Sequence, residues 1–321
     1  MGTLLEVRNL KKYFQVPKGY LQAVDDVSFK INEGETLGIV GESGCGKSTL
    51  GRAILRLHEP TSGTVLYDGM NVTGMDKQEM RALRKYMQII FQDPYASLNP
   101  RFTVAQIIEE PLRLHKIYSS EAEVHARVEE LMDMVGLSAR MQNAYPHEFD
   151  GGRRQRIVIA RALAVGPKFI VCDEPVSALD VSIQAQILNL MIDLQKELNL
   201  TYIFISHNLS VVKHISTDVG VMYLGQLIEK APKRMIYKNP LHPYTIALLA
   251  AIPSLDPEAK RERQILKGEL TSPVNPKRGC RFSTRCPFAQ DRCFTDNPVM
   301  REVEPGHFVA CHRVLGKEGI Q

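Results

Sequence analysis

Gly41-Glu42-Ser43-Gly44-Cys45-Gly46-Lys47-Ser48 decides how this chain reads. The stretch fits the pattern G-x-x-x-x-G-K-[ST]. A short apolar run, Thr36–Val40, precedes it and an amphipathic run, Ser48–Leu57, follows, so the pattern falls between a strand and a helix. Each residue type has a physical reason. Glycines let successive backbone N–H groups turn inward around phosphate oxygens. The N-terminus of the following helix adds partial positive charge. Lys47 offers a full charge to β- and γ-phosphates, and Ser48 offers a hydroxyl to Mg²⁺. The implied ligand is a nucleoside triphosphate with its magnesium ion.

Working outward, Lys168-Phe169-Ile170-Val171-Cys172-Asp173-Glu174 supplies the complement. An apolar strand delivers two carboxylates at its C-terminal edge, where open α/β sheets bind ligands. Asp173 suits the Mg²⁺ water shell, and Glu174 suits the polarisation of a water that attacks the γ-phosphate. Further strands are expected at Met87–Phe91 and Tyr202–Ser206. Helices are expected at Ser120–Val135, Gln155–Ala164, Ile183–Glu197 and Leu209–Ile215. Val124, Val128, Leu131 and Val135 share one helical face, Ser120 and Glu123 form a capping-box pattern, and Gly136 suits the end. The alternation argues for a largely parallel, helix-covered sheet. Residues 94–164 carry helical patterns without strands and read as an inserted helical subdomain. Prolines 232, 240, 243, 253 and 257 mark the exit from the body, giving an expected division into residues 1–257 and 258–321.

Composition narrows the class. Of 321 residues, 44% are hydrophobic and 24% charged, which excludes wholesale disorder. The longest uncharged apolar stretch, Ile246–Pro253, is far shorter than a bilayer span of about 20 residues. Met1–Asn9 carries Glu6 and Arg8 and lacks the apolar core of a secretory signal, so a cytosolic chain is expected. Lys and Arg outnumber Asp and Glu by 40 to 36, and the whole excess falls in residues 258–321. A weakly basic tail permits an anionic partner without identifying one. Four of the six cysteines, Cys280, Cys286, Cys293 and Cys311, cluster in the same tail. In a reducing compartment such a cluster suggests metal more than disulfides, although the spacings lack the tight C-x2-C pairs of zinc ribbons.

The two phosphate-site motifs, together with Gly151-Gly152-Arg153-Arg154-Gln155-Arg156 before the second, resemble an ABC-type ATPase. That resemblance implies an α/β P-loop NTPase fold with a RecA-like parallel sheet, a helical insertion and a small cysteine-containing C-terminal extension. It also implies nucleotide contacts along Gly41, Glu42, Ser43, Gly44, Cys45, Gly46, Lys47, Ser48 and Thr49. Gln92 resembles the glutamine that touches Mg²⁺ and water. Ser177-Ala178-Leu179-Asp180 resembles the loop lining the dimer interface, and His207 the histidine that contacts the γ-phosphate. Phe14, with Tyr13 as the alternative, resembles the aromatic that stacks on adenine. The resemblance thus assigns catalysis to Glu174, His207, Lys47 and Gln92, and magnesium to Ser48, Gln92 and Asp173. The family's signature motif, which completes the opposing subunit's site, departs here: Asp150 replaces its serine and Arg153 its glutamine, around Gly151 and Gly152. An ionised aspartate would repel a γ-phosphate. It could instead cap the helix, with Arg153 or Arg154 neutralising it or meeting phosphate. The expectation is a heterodimer with two unequal sites.

Across nearly the whole chain the similarity is to ATP-binding subunits of oligopeptide and dipeptide importers, in particular the F-type member of their ATPase pair. Phe91–Arg101 and Asn239–Thr245 are typical of that group. His242 reads as a packed or capping residue rather than a metal ligand. The resemblance implies a 4Fe-4S iron-sulfur cluster on the four tail cysteines, with zinc or free cysteines as alternatives. It also implies as partners a second ABC ATPase subunit, two membrane-spanning permease subunits and, indirectly, an extracytoplasmic solute-binding protein. The place implied is the cytoplasmic face of the membrane. An importer of another solute such as nickel is the alternative. A soluble ABC ATPase acting on nucleic acid is a further alternative; against it, the tail's Phe282, Phe288, Phe294 and Phe308 are not interleaved with basic residues, so no nucleic acid is expected.

Overall fold

The computed structural model describes residues 2–252 and 272–314. The expected boundary between residues 257 and 258, with Pro253 and Pro257, lies outside the described residues. In chain order the first elements are β1 (Thr3–Val16), β2 (Gly19–Asn32), β3 (Thr36–Val40), α1 (Lys47–Ile54), β4 (Ser62–Tyr67) and β5 (Met70–Asn71). There follow α2 (Lys77–Leu83), β6 (Met87–Ile90), α3 (Pro94–Ser97), α4 (Val104–Leu114), α5 (Glu121–Met134), α6 (Gly151–Leu163), β7 (Phe169–Asp173), α7 (Val181–Leu198) and β8 (Thr201–Ile205). The chain continues with α8 (Leu209–Ile215), β9 (Asp218–Tyr223), β10 (Gln226–Pro232), α9 (Lys233–Lys238), α10 (Pro243–Ala250), α11 (Asp291–Thr295), β11 (Arg301–Glu304) and β12 (His307–Val309). Two compact units interleave along this order. The first takes Met1–Gly2, Asn32–Glu35 and Gly74–Phe204; the second takes Thr3–Ile31, Thr36–Thr73 and the chain from Ile205 onward.

In the first unit the strand order is β8-β7-β6, with β6 and β7 parallel from Met87↔Phe169 to Ile90↔Cys172. Every residue of β7 and β8 is buried. Such continuous apolar runs mark strands covered on both faces. Residues 94–164 hold only helices and 3₁₀ turns among their described elements. In α5 the Ser120 hydroxyl accepts from the Glu123 N–H while the Glu123 carboxylate accepts from the Ser120 N–H. Val124, Val128 and Leu131 turn inward, and Gly136 closes the helix at φ +68°. These features lie where the sequence pattern puts them.

The second unit holds an antiparallel sheet in the order β2-β1-β4-β5 and a set of strands in the order β11-β12-β10-β9-β3. β3 and β9 are parallel, but β9/β10, β10/β12 and β11/β12 are antiparallel. The expected parallel sheet therefore acquires an antiparallel edge. The cause is local: β9 and β10 are joined by Leu224 (φ +42°) and Gly225 (φ +84°), and two positive φ angles in a two-residue loop make a hairpin.

The C-terminal region builds directly onto that hairpin. β12 pairs with β10 at Glu229↔Val309 and Lys230↔Phe308. The Glu229 side chain is fully buried, a costly position for a carboxylate unless its lone pairs are met. The backbone N–H groups of Leu241 (2.8 Å) and His242 (3.0 Å) and the Nε2–H of His307 (2.8 Å) donate to it. His242 in turn caps α10, its Nδ1 accepting from the Tyr244 N–H at 3.0 Å. The capping role expected of His242 is the one it fills. Beside it, Tyr223, Tyr244 and Phe282 meet edge to face with centroids 4.7–5.5 Å apart.

Burial pulls the His242 imidazole down to about 4, against a weaker opposing pull from the Glu229 carboxylate. The folded chain keeps the ring neutral, as a capping acceptor must be. The unfolded chain takes up a proton near pH 6.5. The resulting stability is present above about pH 6.5 and lost as pH falls toward about 4. His242→Asn retains a capping oxygen and removes the titration. Denaturant unfolding should show the parent chain losing about 2 kcal/mol more than His242→Asn between pH 7 and pH 5. Equal losses would mean that the imidazole does not carry this pH dependence.

Candidate functional site

In the second unit, β3 is buried at every position and runs straight into the glycine-rich loop. Backbone geometry there requires glycine. Gly41 has φ +153°, and a Cβ on it would stand 2.3 Å from the Met222 carbonyl oxygen. Gly46, the residue before α1, has φ +101°, and a Cβ would stand 1.9 Å from the Ala23 carbonyl oxygen. Gly44 (φ +77°) differs: nothing lies within 4 Å of its Cβ position, so its face of the loop is open. Lys47 is buried, and its Nζ donates to the carbonyls of Gly41 (2.9 Å) and Glu42 (3.1 Å). The ammonium is thus held over the loop's own carbonyls. Ser48 and Thr49 follow in the first turn of α1, half-buried. Ser43 is exposed. Cys45 is buried, burial raises its thiol, and its carbonyl accepts from the Gly225 N–H at 2.8 Å. Its backbone is the part that shapes the loop.

Of the two aromatic candidates in β1, Tyr13 donates its hydroxyl to Asp25. Phe14 meets His58 edge to face at 5.5 Å, with the Lys12 ammonium 4.8 Å from its centroid. His207 is exposed immediately after β8, before Asn208 caps α8 through the N–H groups of Ser210 and Val211.

In the first unit, buried Asp173 ends β7, and Glu174 follows at φ +50°. That is left-handed backbone for a residue with a Cβ, a conformation that costs energy and persists only when its surroundings impose it. The Gln92 amide donates to the Glu174 carboxylate at 3.3 Å, and the Ser177 hydroxyl donates to the Glu174 carbonyl at 3.0 Å. The structure therefore brings together Gln92, Glu174 and the start of the Ser177–Asp180 segment. Asp150 caps α6, its carboxylate accepting from the Arg153 N–H at 2.8 Å. The Arg153 guanidinium stands 3.6 Å from the same carboxylate, both side chains being largely exposed. Arg154 is turned away and buried: it donates to the carbonyls of Pro146 and His147 and lies over the Tyr95 ring at 3.5 Å. A Cβ on Gly152 would stand 2.6 Å from Ile183, so α6 and α7 approach closely there.

The expected iron-sulfur cluster requires correction. Cys280, Cys286, Cys293 and Cys311 are free thiols around one small cleft beside His242 and Phe282. Among the described residues no group of three or more His, Cys, Asp or Glu side chains is arranged to hold a metal ion. Burial raises the thiols of Cys280, Cys286 and Cys311, Cys280 to about 12. Two further contacts reach Glu42, one from α10 and one from the tail. The Glu42 N–H donates to the Tyr244 hydroxyl (3.0 Å), and Arg285 grips the Glu42 carboxylate. No local pattern links position 285 to position 42, so nothing in the sequence signalled it.

Comparison with known proteins completes the picture. Residues 24–177 match the ABC transporter family, and residues 228–293 match the oligopeptide/dipeptide transporter C-terminal region. The putative oligopeptide transport ATP-binding protein YkfD of Bacillus subtilis (strain 168) is 56% identical over 312 residues, covering 96% of this chain and 95% of that protein. The oligopeptide transport ATP-binding protein AppF of the same organism is 55% identical over 320 residues, with 97% of each covered. Among solved structures, the dimeric post-hydrolysis state of the ATP-binding cassette MJ0796 bound to ADP and Pi superposes with a TM-score of 0.66 at 30% identity, over 72% of this chain and 99% of that one. CbiO1 from Clostridium perfringens, part of the transporter complex cbiONQ, gives 0.67 at 27% identity, over 74% and 92%. With the glycine-rich loop, the acidic strand end and the C-terminal region all accounted for, the chain belongs to the ABC transporter ATPases, in the oligopeptide/dipeptide transport ATP-binding group.

Proposed function

We propose that this chain is the ATP-binding and hydrolysing subunit of a membrane importer for di- or oligopeptides. Residues 1–257 form its ATPase domain, with the helical subdomain at 94–164, and residues 258–321 its extension. It pairs with a second ATPase chain and two permease subunits at the cytoplasmic face of the membrane, and a solute-binding protein delivers the peptide. The relatives named for oligopeptide transport and the match at residues 228–293 support the peptide class. Among the described residues no helix is long and apolar enough to cross a membrane, in keeping with separate permease chains.

ABC ATPases in general bind ATP with Mg²⁺. The open face at Gly44 fits phosphate oxygens approaching backbone N–H groups. The hydroxyl of Ser48, the carboxylate of Asp173 and the amide oxygen of Gln92 are hard oxygen donors of the kind Mg²⁺ prefers. When bound, the ion neutralises charge on the β- and γ-phosphates. Lys47 exchanges its loop carbonyls for phosphate, Phe14 or Tyr13 stacks on adenine, and His207 senses the γ-phosphate. The observation that carries the catalytic assignment is Glu174. The carboxylate stands on strained backbone at the end of a buried strand, with its position fixed by the Gln92 amide. It accepts a proton from the attacking water.

The signature supports two unequal sites. Asp150 spends its carboxylate on capping α6 and on Arg153, so it presents no hydroxyl donor to a partner's nucleotide.

Glu174→Gln should leave ATP binding intact and lower steady-state turnover of the assembled complex at least about a hundredfold. Unchanged turnover would remove Glu174 from the mechanism. Asp150→Ser keeps a capping side chain while restoring a donor. In the assembled complex it should raise phosphate release several-fold at the partner's site. A measured rate equal to the parent's would show that the signature does not limit that site.

A further inference from the structure

Residue 42 of the phosphate loop is held at three points. Its N–H donates to the hydroxyl of Tyr244, a ring fully buried at the start of α10. Its carbonyl accepts from Lys47. Its carboxylate receives a two-pronged contact from Arg285, with Nη1 2.9 Å from one oxygen and Nη2 3.1 Å from the other. This ion pair is largely buried, the two side chains being 8% and 23% exposed, and bidentate contacts of this kind are directional as well as strong. Arg285 also donates to the Tyr223 hydroxyl at 3.4 Å. A second arginine from the same segment, Arg281, ties the loop from the other side. It donates to the Leu224 carbonyl and pairs with Asp25, and the next residue, Gly225, donates its N–H to the Cys45 carbonyl. Both arginines lie between two of the tail cysteines, Cys280 and Cys286, and both reach back more than 50 residues.

We propose that Arg285 is a positioning residue for ATP: by neutralising Glu42 and fixing its direction, it keeps the phosphate loop receptive to an anion. Left unpaired, the Glu42 carboxylate would be a negative charge on a loop whose ligand is a polyanion. Arg285 cancels that charge and holds the side chain away from the open face at Gly44. Tyr244 fixes the peptide plane that precedes it. The C-terminal region thereby sets the affinity of the phosphate loop without touching nucleotide. The inference rests on ATP binding by this chain.

The test is titration of the full-length chain with a fluorescent ATP analogue and Mg²⁺, with ATPase assays at varied ATP in the assembled complex. Arg285→Met should weaken binding about tenfold, equivalent to about 1.4 kcal/mol, and raise KM while leaving kcat near the parent value. Adding Glu42→Gln to Arg285→Met should restore most of the affinity, because the unpaired charge is gone. The Arg285→Met defect should also shrink as salt is raised. Parent-level affinity in Arg285→Met overturns the proposal. A double variant as weak as Arg285→Met, or weaker, also overturns it, showing that Arg285 only maintains the fold. If Arg285→Met does not fold, Arg285→Gln with and without Glu42→Gln decides by the same comparison. Parent binding is measured first: absence of binding there defeats the ATP reading itself, a failure separate from any difference among variants.

Discussion

A loop that receives an anion through its own backbone cannot tie those N–H groups into a ladder, so its shape must be imposed from outside. That constraint organises the second unit. Gly41 passes against the carbonyl of Met222 on β9, and Gly46 against that of Ala23 on β2, at distances that exclude a side chain. Gly225, in the hairpin after β9, donates to Cys45. Lys47 bridges the loop's own carbonyls. Strands far apart in sequence thus form a mould, and the turn between β9 and β10 needs Gly225 for a contact as well as for its positive φ. Glycine is demanded at some of these positions by neighbours and favoured at Gly44 by its φ of +77°.

The C-terminal region belongs to the same mould. Glu229 is a carboxylate with no solvent, satisfied by two backbone N–H groups ahead of α10 and by a histidine on β12. Removing any one donor would leave buried charge short of a partner, a loss of the order of a few kcal/mol. The aromatic group of Tyr223, Tyr244 and Phe282 joins the ATPase strand β9, helix α10 and the cysteine segment in one core. What looks in sequence like a separate tail is packed as part of the nucleotide-binding unit.

Much of this was legible in the sequence, and the rest was hidden for physical reasons. β3, β7, β8 and α8 read clearly because each is a short apolar run or a single apolar face bounded by polar residues. β1 and β2 did not, since Arg8, Lys11, Lys12, Asp25 and Asp26 interrupt strands whose buried residues, such as Leu4, Leu5, Val7 and Leu10, follow no clean alternation. The glycine-rich loop and the Asp173-Glu174 pair were legible because phosphate chemistry fixes both residue type and spacing. Asp150 could be read as an outlier able to cap its helix, but which of Arg153 and Arg154 faces it takes coordinates. The cysteines misled: their clustering around one cleft is real, yet spacing along a sequence does not say whether the side chains are arranged around a metal.

The match to the oligopeptide/dipeptide C-terminal region begins at residue 228, inside β10 rather than after it. The C-terminal match therefore starts within a paired strand rather than in a linker. A recombination joint placed at residue 257 would leave Glu42 and Glu229 on one parental side and Arg285 and His307 on the other. Exchange of the tail between relatives preserves both ion pairs only when the two parents carry matching partners at these four positions. A tail taken from a parent without such partners would leave Glu42 and Glu229 each short of a contact.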